Sequence, residues 1–364
     1  TAPELSPITY GDPAPPALPF SIQNHDANAV NIREIRVKTG STGWYNDINF
    51  TAFDINSGMT DNTNIKFQPK EDLDAGTYTT TFDIAFRISG SDDPEHGEVT
   101  VTFTVNKADQ KSPAEHNQTL RADVNKITYN SVILEALEPS PDTGSKVNYR
   151  VDGGSWQESP EFKGLSSNEK HVFEACYAAT KNYNISPSIS AEFTTEKAAT
   201  ILYDTNQLDV ISGREYEISG YGATKKYTSD TGLIDIDEKW YGKTLTLKDF
   251  KSTQTLKVPA LPKAPTPKSK DETIAGATDG EISGLSTSME FRKKTGKNSW
   301  TSWDAVGGKI LEGLEPGTYE IRTAATDKSF ASKSATVVIL KGRSLDVTVT
   351  EFEDMVYGSD PVSR

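Results

Sequence analysis

Four histidines, a single cysteine, two dense acidic stretches and five tryptophans are the residues of this 364-residue chain whose types could do chemistry. His25, His96, His116 and His171 are scattered, with no H-x-x-x-H or C-x-x-C spacing that would converge on a metal ion. They read as structural or solvated side chains. Cys176 sits in the alternating pattern "HVFEACYAAT". An activated thiolate needs exposure and a neighbouring base, so this thiol reads as buried and inert. No G-x-S-x-G elbow occurs. Gly213, Gly220 and Gly222 in "SGREYEISGYGATKK" lie among strand patterns with no helix after them, which removes the phosphate-cradle reading. The acidic runs "SGSDDPEHGE" (Ser89–Glu98) and "DTGLIDIDE" (Asp230–Glu238) lack the D-x-[DN]-x-[DN]-G spacing of a calcium loop and read as polar hairpin tips. Lys and Asx residues abound, but spacing singles out no Lys–Asx–carboxylate trio for an isopeptide cross-link. No catalytic residue, cofactor or metal ion is expected, and the chain reads as a non-enzyme.

Aromatic side chains remain, because exposed rings stack on sugar faces. Trp156 and Trp300 recur at equivalent positions of an internal repeat and read as packing residues, as does Trp240 in "DEKWYGKTLTL". Trp44 and Tyr45 fall in "KTGSTGWYNDINF", a Gly/Ser/Asn-rich stretch that reads as an exposed loop. They are the expected ligand-binding pair.

Composition narrows the classes. A net charge of −14 and a pI near 4.9 oppose a phosphate-binding or anionic-membrane surface, which needs clustered Lys and Arg. No run approaches the roughly 18 apolar residues of a membrane span. With one cysteine no intrachain disulfide can form, and an acidic, Thr/Gly/Pro-rich β-chain of this kind fits an exported bacterial protein, with a cytosolic one left open by composition alone. The chain opens on Thr1 rather than Met, so it reads as a segment of a longer polypeptide and the lack of a leader has no weight.

The elements that must position these residues are strands. "EVTVTFTV" sets Val99, Val101, Phe103 and Val105 on one face, and "TYTTTFDIAFRI" alternates from Tyr78 to Ile88. Turn signals such as "DAGT", "DGGS", "EPGT" and "KTGK" punctuate short runs throughout, which predicts sandwiches or barrels. "ACYAATKNYNISPSISAEF" (Ala175–Phe193) aligns without gaps on "IRTAATDKSFASKSATVVI" (Ile321–Ile339), with Gly164-Leu165 matching Gly313-Leu314 upstream. The fold class is therefore all-β, tandem β-sandwiches in an elongated array. The expected domains are 1–107, 108–196, a minimal sandwich at 197–262, and 263–342. Pro/Lys-rich seams "NKADQKSPAEH" and "PALPKAPTPKSKDE" precede the two related repeats, and Pro stiffens such seams.

Residues 1–107 resemble the immunoglobulin-like domains of the abnormal-spindle/Hydin type found in large bacterial surface proteins. The likeness rests on "ITYGDPAPPALPFSIQNHDANAVNIREIRV", "NIKFQPKEDLDAGTYTTTFDIAF" and "VTVTFTVNKADQ", with Leu73, Ala75, Gly76, Thr77 and Tyr78 matching an "LxAGTY" corner. It departs at "NHDAN" (Asn24–Asn28), where the family more often reads Asn-Thr-Gly. Residues 108–196 and 263–342 resemble the fibronectin type III-like repeats of Firmicute surface and cell-wall proteins through "DGGSWQESPEFKGL" and "LEGLEPGTYEIRTAAT". "MVYGSDPVS" (Met355–Ser363) echoes "ITYGDPAPP" from Ile8, so 343–364 reads as the first strand of a further immunoglobulin-like domain. The tail after Leu340 should then lean on the fourth domain or pair with a neighbouring molecule. These modules imply a monomeric, extracellular stalk or spacer at the cell wall or cell surface or in a secreted protein, with a role in adhesion and a host or microbial surface glycan or protein as partner. The alternative is a set of accessory carbohydrate-binding or spacer modules of a secreted glycoside hydrolase.

Overall fold

A strand sends alternate side chains to opposite faces, so Val99, Val101, Phe103 and Val105 must lie together on one side of their sheet. In the computed structural model, which describes residues 1–344, that side is the core: the last three are buried and Val99 packs against them. The described chain is all-β, with short 3-10 turns at Pro113–His116 and Glu238–Trp240. It divides into two compact units, Thr1–Glu196 and the part from Lys197 on. The described sheets and cores form four sets, two in each unit.

The first unit opens with a five-stranded sheet ordered Ile8–Thr9, Glu95–Asn106, Gly76–Ile88, Val30–Gly40, Phe53–Ile55. Ile8–Thr9 runs parallel to its neighbour and the remaining pairs are antiparallel. Two short ladders, Leu18–Pro19 with Lys66–Phe67 and Ile22–Gln23 with Thr60–Asp61, supply the second layer. Phe20, Trp44, Tyr45, Phe67 and Phe82 interlock between the layers as tilted and edge-on ring pairs, the arrangement ring quadrupoles favour. Gly40 stands at φ +103°, and a Cβ on it would lie 2.4 Å from the Thr79 carbonyl oxygen. Glycine is thus required where the chain leaves its strand toward the Trp44 segment.

The rest of this unit is a smaller sandwich. Ala122–Ile127, Ser131–Leu134 and Glu161–Lys163 form one sheet, and Val147–Val151, Lys170–Tyr177 and Ile189–Thr194 form the other. Its core holds Val132, Leu134, Tyr149, Phe162, Phe173 and Tyr177.

In the second unit, Thr200–Leu202, Gln207–Asp209 and Leu233–Asp235 form one sheet, and Lys225–Thr228, Glu215–Ser219, Thr244–Lys248 and Thr253–Lys257 form the other. Another pair follows. Lys268–Lys270, Gly280–Ser283 and Ile310–Leu314 make a three-stranded sheet, while Asp304–Ala305, Met289–Lys293, Gly317–Thr323 and Ala335–Ile339 make a four-stranded one. The core around Leu208, Ile218, Trp240, Leu245 and Val258 also contains Phe330, which comes from the last repeat. A small sandwich is short of apolar area, and this ring supplies some of it from outside.

The described end of the chain runs beside residues 271–275. Glu272 and Ala275 donate their N–H groups to the carbonyls of Leu340 and Arg343 at 3.2 and 3.1 Å, and the N–H of Gly342 donates to Glu272 Oε2 at 3.1 Å. The expected further strand over 343–364 falls, from residue 345 on, outside the described residues.

Replacing Phe330 with alanine removes a fully buried ring, which costs about 3–5 kcal/mol at such sites. Peptide-resolved hydrogen exchange should show faster exchange across the Glu215–Ser219 and Thr244–Lys248 strands. Loss confined to the repeat that carries Phe330 would contradict the shared core.

Candidate functional site

The structure first relocates the expected ligand pair. Trp44 is 2% exposed and Tyr45 7%, both inside the core of the first sandwich. The Trp44 indole Nε1–H donates to Thr80 Oγ1 at 2.9 Å, and Tyr45 lies against Phe67 and Phe82 at ring separations of 4.9 and 5.5 Å. Burial raises the Tyr45 phenol pKa, with the Asp47 charge adding to it. The expectation of an exposed sugar-stacking pair is thereby corrected. Its physical reason lies in the backbone: Lys70 N–H bonds the Trp44 carbonyl and Asn46 N–H bonds the Gln68 carbonyl, both at 2.9 Å. The stretch that reads as a Gly/Ser loop is tied down by an isolated bridge between Tyr45 and Pro69, over the core.

The histidines sit on separate elements with separate partners. His96 Nδ1 lies 2.9 Å from Asp83, His116 Nε2 is 3.6 Å from Asp142 beside the Tyr177 ring, and His25 lines a surface cleft. His171 is the most enclosed, with Nδ1 2.7 Å from Asp152 Oδ2 and Nε2 3.1 Å from the Ser166 carbonyl oxygen. Among the described residues no three His, Cys, Asp or Glu side chains are grouped to hold a metal ion. Cys176 is buried, and burial pushes its thiol up to about 11 against the opposing charge of Arg150. It is a thiol at neutral pH.

Tryptophans of the repeats lie on sheet faces, where they cap arginines. Arg150 donates to both carboxylate oxygens of Glu174 at 2.7 and 2.8 Å, and its guanidinium lies 4.4 Å over the Trp156 ring. The second repeat extends the motif. Arg292 pairs with Glu320 and lies 4.8 and 4.5 Å from the rings of Trp300 and Trp303, while Arg322 pairs with Glu290 and lies 4.0 Å over Trp303. A stacked guanidinium held by a carboxylate is worth about 0.5–1 kcal/mol per ring contact, and it fixes indole planes that would otherwise swing.

The element sequence reasoning missed is a tight hairpin in each repeat. Thr180 N–H bonds the Tyr183 carbonyl at 3.0 Å, and Thr326 N–H bonds the Ser329 carbonyl at 2.9 Å. Just after each, a serine Oγ accepts from the strand before it: Ser186 from Tyr177 N–H (2.9 Å) and Ser332 from Thr323 N–H (2.8 Å). Both hairpins reach back to the sandwich that precedes them. In the first unit Asn182 Oδ1 accepts from Ala75 N–H at 2.9 Å and Asn182 Nδ2 donates to Asp74 Oδ1 at 2.8 Å, while Lys181 pairs with the same carboxylate. Lys181, then Asn182, lower the Asp74 pKa. Tyr183 meets Tyr10 edge-on at 5.4 Å. The seam itself is fastened, because Ala108 N–H bonds the Asn182 carbonyl (2.9 Å), its carbonyl accepts from Asn184 N–H (2.8 Å), and Gln110 Nε2 donates to the carbonyls of Ala178 and Asn184. In the second unit the hairpin delivers Phe330 between Tyr203 and Tyr241, at ring separations of 5.0 and 5.1 Å.

No family model matches the chain, and no curated protein matches it. Among solved structures it is similar to the central fibronectin-III array of RIM-binding protein, at 11% identity and a TM-score of 0.19, covering 64% of this chain and 98% of that one. It is also similar to the FN1–FN3 domains of chicken CNTN1, at 12% identity and a TM-score of 0.19, covering 65% of this chain and 100% of that one.

The His171 site carries a pH dependence. Burial lowers its pKa, but the hydrogen bonds to Asp152 and to the Ser166 carbonyl, with the Asp152 and Glu169 charges, leave it above its ordinary 6.5. A raised folded value favours the charged form, so its stabilisation is complete below 6.5 and fades as pH rises through the folded value. Thermal unfolding of the 120–193 sandwich should therefore fall between mildly acidic and mildly alkaline pH. In Asp152→Asn that slope should flatten, and an unchanged slope would remove His171 as its source.

Proposed function

We propose that this chain is a non-catalytic, extracellular segment of a bacterial surface protein, a monomeric spacer that also takes part in adhesion to a surface glycan or surface protein. The observation that carries the reading is the repeated hairpin: in both units it fastens one sandwich to the sandwich before it. A spacer has to transmit position from one domain to the next, and a flexible seam cannot do so. Here the seam at residues 107–110 is zipped along the hairpin, and Ser112 N–H and Oγ both bond Glu115 at 2.7 and 2.9 Å where the next turn begins. The composition agrees. One cysteine and a charge of −14 suit a soluble exported chain that folds without disulfides.

Spin labels placed at exposed positions of the first and second sandwiches test the rigid pair by electron–electron double resonance. The wild type should give one narrow distance distribution, and Lys181→Ala with Asn182→Ala should broaden it at least about twofold while each sandwich stays folded, since surface contacts of this kind are individually weak. A broad wild-type distribution would sink the spacer reading. For location, antibodies against the chain should label intact cells of the source organism; labelling only after permeabilisation would place it inside.

A further inference from the structure

The four-stranded sheet of Lys225–Thr228, Glu215–Ser219, Thr244–Lys248 and Thr253–Lys257 carries an open cleft of about 560 Å³ on its outer face. That lies within the roughly 300–1,000 Å³ of small-molecule sites. Tyr216, Ile218, Leu245 and Leu247 belong to the core, so the residues alternating with them face outward. Register then sets Glu217 opposite Lys226 on one side and Lys248 on the other. The charges in that row do not simply pair off. Lys226 Nζ turns to Glu215 at 2.8 Å and Arg214 Nη1 to Asp249 at 3.0 Å, whereas Glu217 and Lys248 have no ion pair among the described residues. The cleft thus keeps one uncommitted cation beside one uncommitted carboxylate.

Phe250 also lines this cleft and is, at 74%, the most exposed large hydrophobic side chain among the described residues. The turn that carries it is braced. One carboxylate oxygen of the buried Asp249 side chain accepts from the N–H groups of Lys251 and Ser252 at 2.9 and 2.6 Å, and the other holds Arg214. The cationic groups of Arg214 and Lys251 lie 5.2 and 5.6 Å from the ring centre. A fixed turn therefore holds an apolar ring out in water beside a polar cleft, and an exposed ring adds little to folding. We propose that this cleft binds an acidic sugar, a pyranose ring bearing a carboxylate; this names a site for the glycan adhesion proposed above and rests on that reading. The negative face of the Phe250 ring seats the partly positive C–H groups of the sugar. Lys248 donates to its carboxylate, and its hydroxyls donate to Glu217. Other ligand classes match the lining less well. A phosphate group would set two charges beside Glu215 and Glu217, a cationic peptide would meet Lys226 and Lys248, and a neutral sugar leaves Lys248 unmatched.

Methyl glucuronide is the probe, titrated into the whole chain with backbone amide shifts as readout. It should bind with a Kd of about 1 mM, the affinity expected of so small a ligand, and shift the amides of Glu217, Lys226 and Lys248–Phe250. Methyl glucoside (the ring without the carboxylate) and acetate (the carboxylate without the ring) should each bind at least about fivefold more weakly. Phe250→Ala should weaken glucuronide at least about fivefold, and Lys248→Gln should bring glucuronide and glucoside to nearly equal affinity. Both side chains are exposed, so the thermal midpoint should stay near wild type in either variant. No binding at about 20 mM glucuronide overturns the proposal. So does glucoside or inorganic phosphate that binds as tightly, a set of shifts elsewhere on the chain, or affinity indifferent to both substitutions. Adhesion is read separately, on a surface carrying mixed glycans. If the Phe250→Ala, Lys248→Gln double variant adheres as well as wild type, this site fails and the adhesion reading stands. If neither adheres while glucuronide shifts the named amides, the site stands and the adhesion reading fails.

Discussion

Phe330 belongs to one sandwich by sequence and to another by packing, and the second unit depends on that division. A β-sandwich built from about 65 residues has a high ratio of surface to volume and little apolar area to bury. The stretch before this repeat supplies Leu208, Ile218, Trp240, Leu245 and Val258, and the ring of Phe330 closes the set between Tyr203 and Tyr241. Folding of the smaller sandwich and docking of its neighbour are thereby one event. The same hairpin in the first unit docks on a larger sandwich whose core is already filled by its own aromatics. There it needs to position and not to complete, and its contacts are polar apart from the edge-on meeting of Tyr183 with Tyr10.

The two clasps therefore differ in physical character although their frames match. Hydrophobic burial is non-directional, so the Phe330 plug stabilises without dictating a fine angle. The Asp74–Lys181–Asn182 contact is half-buried at Asp74 and Asn182 and exposed at Lys181, weak for each bond, and strongly directional, since each hydrogen bond tolerates only a narrow approach. Backbone bonds between Ala108 and the hairpin add to it by turning the seam into a continuation of the second sandwich. One frame thus serves two ends: cooperative stability in one unit and fixed geometry in the other.

On the sheet faces, the repeats hold tryptophan in a different manner. Trp156, Trp300 and Trp303 lie over arginines whose guanidinium groups are already committed to Glu174, Glu320 or Glu290. Each indole shields an ion pair from water, which strengthens the pair, and the pair keeps the ring flat on the sheet. The single rung of the first repeat becomes a stack in the second because Cys176 and Ser159 occupy the positions at which the alignment sets Arg322 and Trp303.

Alternation and turn chemistry by themselves determined that the chain is all-β, which face of each long strand is buried, and that two stretches are copies of one design. Those are consequences of a two-residue period and of a repeat, and both are local. Trp44 and Tyr45 show where that reading stops: their neighbours are the small polar residues of a loop, and only the bonds to Gln68 and Lys70, more than twenty positions away, turn them inward. The hairpins at 180–184 and 326–330 were equally silent, since an Asn-Tyr-Asn or a Ser-Phe in a turn carries no mark of what it touches. Whether such a residue is solvent-exposed, a clasp or part of another domain's core is decided by the surface brought opposite it, and that surface exists only once the sandwiches have formed.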